Sequence, residues 1–330
     1  MARGYALMAA VAGIVPLHAM ARAWSERAFE LVDGVGTPYD LAFVLQRVSS
    51  YRLWMGEWDI AEAAFRRVVE ISGRLGDQRL LADAMSCLGL GCFFRGQHAR
   101  TLATIAEIEI WQRRADDAQI AGGAPSLAAA TLIRQGDPET AIELCRSVQA
   151  AIDAANVSHE VVRCHGVLAL AHLRAGGYGG AREAIDRALG VLSTTRPVAY
   201  WTFDGVAAAA EASVALWESS GTSADEKRAR RCLVTARAFA AIFPIGEPFA
   251  ALWEGLFHQL EGHPVKARRA WDRPRGWACP TSAVERSSRS AATSATATPS
   301  GDAFSTAEEA ILADLDAAPV HGRAQVAPGG

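Results

Sequence analysis

Lysine is almost absent from this chain. Of its 33 basic residues only Lys227 and Lys266 are lysine, while alanine abounds, a bias of GC-rich coding rather than of selection for phosphate contacts. With 21% charged residues and a net charge of −3, the sequence has neither the basic surplus of a nucleic-acid binder nor an acidic tail. Catalytic motifs are missing too: no G-x-x-x-x-G-K-[ST] precedes either lysine, so no P-loop is encoded, and neither G-x-S-x-G nor H-E-x-x-H occurs. The six cysteines (Cys87, Cys92, Cys145, Cys164, Cys232, Cys279) show no C-x-x-C spacing and mostly fall in apolar helical runs. They read as small buried hydrophobes in a reducing compartment, the cytoplasm, rather than as disulfides or zinc ligands. Strand signals are nearly absent. The expectation is a protein that is not an enzyme, with no catalytic, cofactor-binding or metal-binding residues, no cofactor, and no nucleic-acid or membrane partner.

What is present is apolar and periodic. The chain is 330 residues long and 50% hydrophobic, enough for a large core. Gly4 to Ala21 contains no Asp, Glu, Lys or Arg. With Arg3 and the Ala-Met-Ala-Arg-Ala that ends it, this run fits a signal peptide, but its Pro16, His18 and many alanines make it weakly apolar and favour a buried solenoid helix. Further on, Gly56, Gly96, Gly136 and Gly176 are spaced by 40, and Gly262 follows 86 later. Seven residues before these glycines stand Ser49, Gly89, Ala129, Ala169 and Gly255; five after stand Ala61, Thr101, Ala141, Ala181 and Ala267. All are small. Nine after stand Phe65, Ile105, Cys145, Ile185 and Trp271. Small residues on both arms of a hairpin let the backbones approach, and the larger one fills the space beside them.

A second turn keeps the period at Gly36, Gly76, Asp116 and Asn156, residue types that tolerate the left-handed conformation at a helix C-terminus. Helix starts follow at Thr37-Pro38 with Asp40, Asp137-Pro138-Glu139, Ser158 with Glu160, and Ser223 with Glu226. Four hairpins fill about residues 41 to 195. A fifth pairs Val198–Glu218 with Asp225–Phe243, and a sixth pairs Phe249–Leu260 with Val265 onward. The fold expected is all-α: an α-solenoid of about six helical hairpins with a period near 40 residues.

The column pattern resembles the tetratricopeptide motif of about 34 residues, without its regular first Trp or final Pro. Three stretches, "GIVPLHAMAR" at 13 to 22, "FPIGEP" at 243 to 248 and "GHPVKARRAW" at 262 to 271, resemble the C-terminal repeat region of bacterial proteins that join a class III adenylate/guanylate cyclase to an AAA-type ATPase, and of related ATP-binding transcriptional regulators. The resemblance implies a detached or fragmentary repeat module without either activity.

The helix entering each glycine turn lines the concave face in a tetratricopeptide-like superhelix. By that resemblance Trp54, Phe94, Arg134 and Arg174, each two before its glycine, belong there, and Arg163 joins the arginines. Three arginines on one wall suit an acidic peptide or a C-terminal carboxylate; solvation, or pairing with Glu139 or Glu160, is the alternative. His165 and His172 lie seven apart on one helical face, which reads as a partly buried hydrogen-bonded pair more readily than as a metal site, since helical ligands sit three or four apart.

The function expected is non-catalytic: a scaffold or regulatory module binding a protein or peptide. Its alternatives are a regulatory fragment acting on a separately encoded cyclase or ATPase, and a metal-dependent enzyme using the histidine face. The domain expected spans 1–273. Pro274 falls twelve after Gly262, where earlier repeats hold Val68, Ile108, Val148 and Ala188, so the helix should end near Asp272. Residues 274–303 are rich in Ser, Thr, Ala and Arg, and are read either as a disordered linker or as a stretch translated in a shifted frame. Residues 304–330 read as a remnant helix and tail.

Overall fold

A computed structural model describes residues 1–34, 36–112, 118–155, 157–194 and 199–272. The chain divides into two compact units, Met1–Phe93 with Gln97–Trp277, and Phe94–Gly96 with Ala278–Gly330. The helices described below lie in the first, apart from the last residue of one. The segments expected over 274–303 and 304–330, the turn residues Asp116 and Asn156, and Cys279 lie outside the described residues.

Fourteen helices follow one another, with no strand, among the described residues. They pair as α1 (Ala2–Ile14) with α2 (His18–Glu30), α3 (Pro38–Trp54) with α4 (Trp58–Leu75), α5 (Gln78–Phe94) with α6 (His98–Gln112), and α7 (Ala118–Arg134) with α8 (Pro138–Ala155). Next come α9 (Ser158–Arg174) with α10 (Tyr178–Leu192), α11 (Phe203–Ser220) with α12 (Ser223–Ile242), and α13 (Glu247–Leu260) with α14 (Pro264–Trp271). First helices also pack on one another, α1 on α3, α7 on α9, α9 on α11 and α11 on α13. This gives the two-layer stacking of a solenoid, in which each hairpin buries its face against its neighbours.

The turn glycines adopt the backbone for which glycine is suited: Gly56, Gly96, Gly136, Gly176 and Gly262 have φ of 76°, 71°, 83°, 76° and 76°. At Gly56 the Glu57 N–H donates to the Arg52 carbonyl at 2.9 Å and the Gly56 N–H to Leu53 at 3.1 Å. The same nested pair recurs at Gly136, Gly176 and Gly262 and satisfies the last carbonyls of the incoming helix. Thr37 caps α3 by accepting from the Asp40 N–H at 3.1 Å, and Asp137 accepts from the Thr140 N–H at 3.1 Å. Ser158 is instead the first residue of α9 and makes no cap bond. Helix α12 is capped one residue early, at Thr222 from the Asp225 N–H.

The small columns are buried throughout, with Ser49, Ala129, Ala169, Thr101, Ala141, Ala181 and Ala267 at 0% exposure. Two features extend the register beyond its expected bounds. The uncharged N-terminal run is not one helix but the hairpin α1/α2, bent at Pro16, forty before Gly56. Ala9 and Ala21 occupy its small columns, fully buried, so seven hairpins lie among the described residues, in line with the about six expected. Proline offers no N–H, and only the outer bond of the turn forms, Leu17 N–H to the Ala12 carbonyl at 2.8 Å. In α11/α12 Gly221, with φ of 62°, fills the turn position 45 after Gly176. The extra five residues come from the longer connection before α11, which carries a short 3-10 turn, Tyr200–Thr202.

Candidate functional site

The inner faces of α1, α3, α5, α7 and α9 enclose a cavity of about 320 Å³. Leu90, Ile108 and Leu127 supply its apolar wall, and Gln46, Glu160 and Arg163 its polar one. The 3-10 turn closes it with Tyr200 and Trp201. The Tyr200 hydroxyl lies 2.9 Å from Cys87 Sγ and donates to Ser50 Oγ at 3.3 Å. Its ring sits 5.2 Å from that of Trp54, which also meets Phe243 edge-on at 5.2 Å. Both connections before α11 and α13 therefore reach back to α3. Burial pushes the Cys87 thiol up to about 12, which makes it an unreactive packing group. The five described cysteines are all buried.

At the α9–α11 crossing, charge and glycine act together. A Cβ on Gly166 would stand 2.0 Å from the Gly205 carbonyl oxygen, and one on Gly205 would stand 2.4 Å from the Arg163 Cα. Two helices can approach this closely only without side chains at the contact. The approach places Arg163 Nε 2.9 and 2.8 Å from the two Asp204 oxygens, with both residues buried. Burial pushes the Asp204 carboxyl up, and Arg163 and the Gly205 N–H pull against it. Two turns along α11, Glu211 is 1% exposed and accepts from Arg174 at 2.6 Å and from Arg134 at 3.1 Å. Its burial opposes ionisation, yet the two guanidiniums together hold its carboxyl below the usual range. On the outer layer Arg182 donates to Asp225 at 2.8 Å, joined by Arg228 at 2.9 Å and Ser220 at 2.7 Å, and Asp225 is held well below the usual carboxylate range, Arg182 being the main cause.

Glu160 differs from these carboxylates. It is 2% exposed, its Oε2 has no hydrogen-bond partner, and burial pushes it up to about 7 against the pull of Arg163. The Trp201 indole N–H faces it without closing a hydrogen bond of good geometry and is itself unsatisfied, as are the Trp54 indole N–H and Gln46 Oε1. His159 Nε2 is 3.9 Å from Glu160 Oε1, and burial, with Arg163, lowers the His159 pKa.

Of the five residues expected on the concave face, Trp54 and Arg163 line the cavity. Arg134 and Arg174 do converge, but on Glu211, and Phe94 is buried at the end of α5. The arginines thus hold carboxylates of α11, Asp204 and Glu211, rather than forming an open wall. His165 is buried and lies 3.4 Å from Asp153, whereas His172 packs its ring where a Cβ on Gly180 would stand 3.0 Å away, so the two histidines form no pair. No cluster of three His, Cys, Asp or Glu side chains able to hold a metal occurs among the described residues, and no described helix is long and apolar enough to cross a membrane.

No known family profile matches the chain, and no curated protein does. Solved structures do. A Rap protein complexed with Competence and Sporulation Factor aligns with a TM-score of 0.63 and 15% identity, over 86% of this chain and 74% of its own. Aspartyl phosphate phosphatase F from Bacillus subtilis aligns at 0.58 and 14%, over 82% and 70%. Geometry and likeness agree on the fold: this is an all-α solenoid of tetratricopeptide-like helical hairpins.

Proposed function

We propose that this chain is a non-catalytic binding module that takes a segment of another polypeptide into its inner cavity. The observation that carries the reading is the cavity itself, where aromatic rings, apolar side chains and unsatisfied polar atoms meet on the inner faces of successive hairpins. An extended peptide presents N–H and C=O groups alternately, which suits a wall holding both the indole donors and the Gln46 acceptor. That one solved neighbour carries a bound factor supports the same use of this fold. Because Arg134, Arg163 and Arg174 already hold carboxylates, the reading no longer asks for an acidic partner. The cytoplasmic signalling context, regulation of a separately encoded cyclase or ATPase, is proposed from the resemblance of the three short stretches. A catalytic domain encoded beside this gene would support it.

The test is selection of peptides from a random display library, followed by titration against the wild type and against Ala124→Phe, which fills the cavity from α7. Selected peptides should bind the wild type and lose at least about tenfold in affinity, near 1.4 kcal/mol, with the filled variant. Equal binding to both, with helix content unchanged, refutes the cavity as the site.

A further inference from the structure

The cavity wall contains one carboxylate, Glu160, whose Oε2 finds no hydrogen-bond partner among the described residues. Arg163 attracts it but gives its Nε to both oxygens of Asp204. Burial lowers the pKa of the neighbouring His159. Arg47 and Arg79 also line the cavity, from α3 and α5; Arg47 stacks on the Phe43 ring at 5.3 Å, and Asp83 lines the cavity one turn along α5 from Arg79. Glu160 is thereby left with an oxygen that has no partner, in a wall shared with three aromatic side chains, Trp54, Tyr200 and Trp201. Tyr200 stands between the two indoles, its ring 5.2 Å from Trp54 and 5.3 Å from Trp201, edge-on to the latter. A buried carboxylate beside several aromatic rings is the chemistry that recognises an organic cation: the carboxylate supplies a full charge, and the ring faces add an attraction that grows once water is excluded.

We infer that this wall receives a primary ammonium group of the ligand, with Glu160 as its anion and the rings of Trp54, Tyr200 and Trp201 at its sides. The inference rests on reading the cavity as the binding site, and it names the ligand chemistry there: an amino terminus or a lysine side chain. Ammonium N–H donors would satisfy Glu160 Oε2. The carboxyl must be ionised to do so, and since burial holds it near 7, binding below that pH has to expel a proton. An alkylammonium with a pKa near 10 keeps its charge throughout. The other titratable or charged groups around Glu160 are His159, Arg163 and Asp204, with Arg47, Arg79 and Asp83 elsewhere in the cavity lining.

The experiment uses the intact chain and three small probes, n-hexylammonium, hexanoate and neutral N-hexylacetamide, followed by tryptophan fluorescence and ligand-observed NMR. Hexylammonium should bind in preference to both others and about tenfold more tightly at pH 8 than at pH 6. Glu160→Gln should weaken it by about tenfold or more and abolish the pH dependence. Trp201→Leu, which leaves the charge intact, should weaken it while preserving the pH dependence, and it keeps the test open if the first variant misfolds. Hexanoate binding as well as hexylammonium, binding unaffected by either variant, or no binding of any probe, which would mean a wall that only holds water, overturns the inference. Failure here with selected peptides still seated in the cavity leaves the binding reading standing. Amine binding without any cavity-dependent peptide does the reverse.

Discussion

The hairpins α3/α4 to α9/α10 and the junction between α9/α10 and α11/α12 solve the same packing problem by different means. Within the regular hairpins, small side chains at fixed distances from a glycine turn let the arms meet, and register is a matter of shape. At the junction the period slips by five residues. The contact is then made by bare backbone at Gly166 and Gly205, and the register is held by directional pairs: Arg163 with Asp204, Arg134 and Arg174 with Glu211, and Arg182 with Asp225. Shape tolerates a related side chain; a bidentate guanidinium pair specifies one partner at one distance.

Four variants would break or sharpen this contrast. Gly205→Ala should destabilise by about 4 kcal/mol or more, because the new Cβ meets helix backbone that cannot rotate away. Gly89→Ala, in a regular column where the nearest atom is a Leu127 methyl at 3.4 Å, should be neutral or stabilising by up to about 1 kcal/mol. Denaturant melts of the two variants compare the regions directly, and equal costs would erase the distinction. Glu211→Gln should cost about 3–5 kcal/mol by leaving two guanidiniums without their carboxylate, whereas replacing Glu211, Arg134 and Arg174 together with Leu, Leu and Met should recover most of that loss. Failure of the triple variant to recover would place the effect elsewhere than in the charges.

Glu160 supplies an effect that depends on pH. Its folded pKa, near 7, lies above the ordinary value of 4.5, so the folded state holds an extra proton between these values and loses stability as pH rises through them. Glu160→Gln should therefore match the wild type near pH 4 and exceed it by up to about 3 kcal/mol at pH 8. A thermal-melt difference that stays flat with pH would show the carboxyl to be solvated.

Much of this was legible in residue order because turns and close contacts restrict residue type sharply. Gly56, Gly136 and Gly176 announce themselves since a Cβ is disfavoured at positive φ, and Ala141 or Ala181 since a larger group would part the helices. Pro16 hid the first hairpin by making the turn without a left-handed residue, and Gly221 hid behind the longer connection before it. The partners that the sequence suggests for the arginines, Glu139 and Glu160, lie close along the chain. In a solenoid the neighbour across the interface is also about one period away: Arg163 and Asp204 are 41 apart, Arg174 and Glu211 37, Arg182 and Asp225 43. Opposite charges at that separation were the missed signal. The cavity had none, because Tyr200 and Trp201 come from a connection that belongs to no column.

That connection has a consequence for the molecule as an array. The Tyr200 hydroxyl reaches Ser50 across 150 residues, and Phe243 meets the same Trp54 from the next connection. Stacked repeats ordinarily behave as beads on a string, each free to be duplicated or deleted because it touches only its neighbours. Here the string is clasped. A hairpin added or removed between α3 and α11 would carry the clasp away from its socket, so the number of hairpins inside the clasp is fixed.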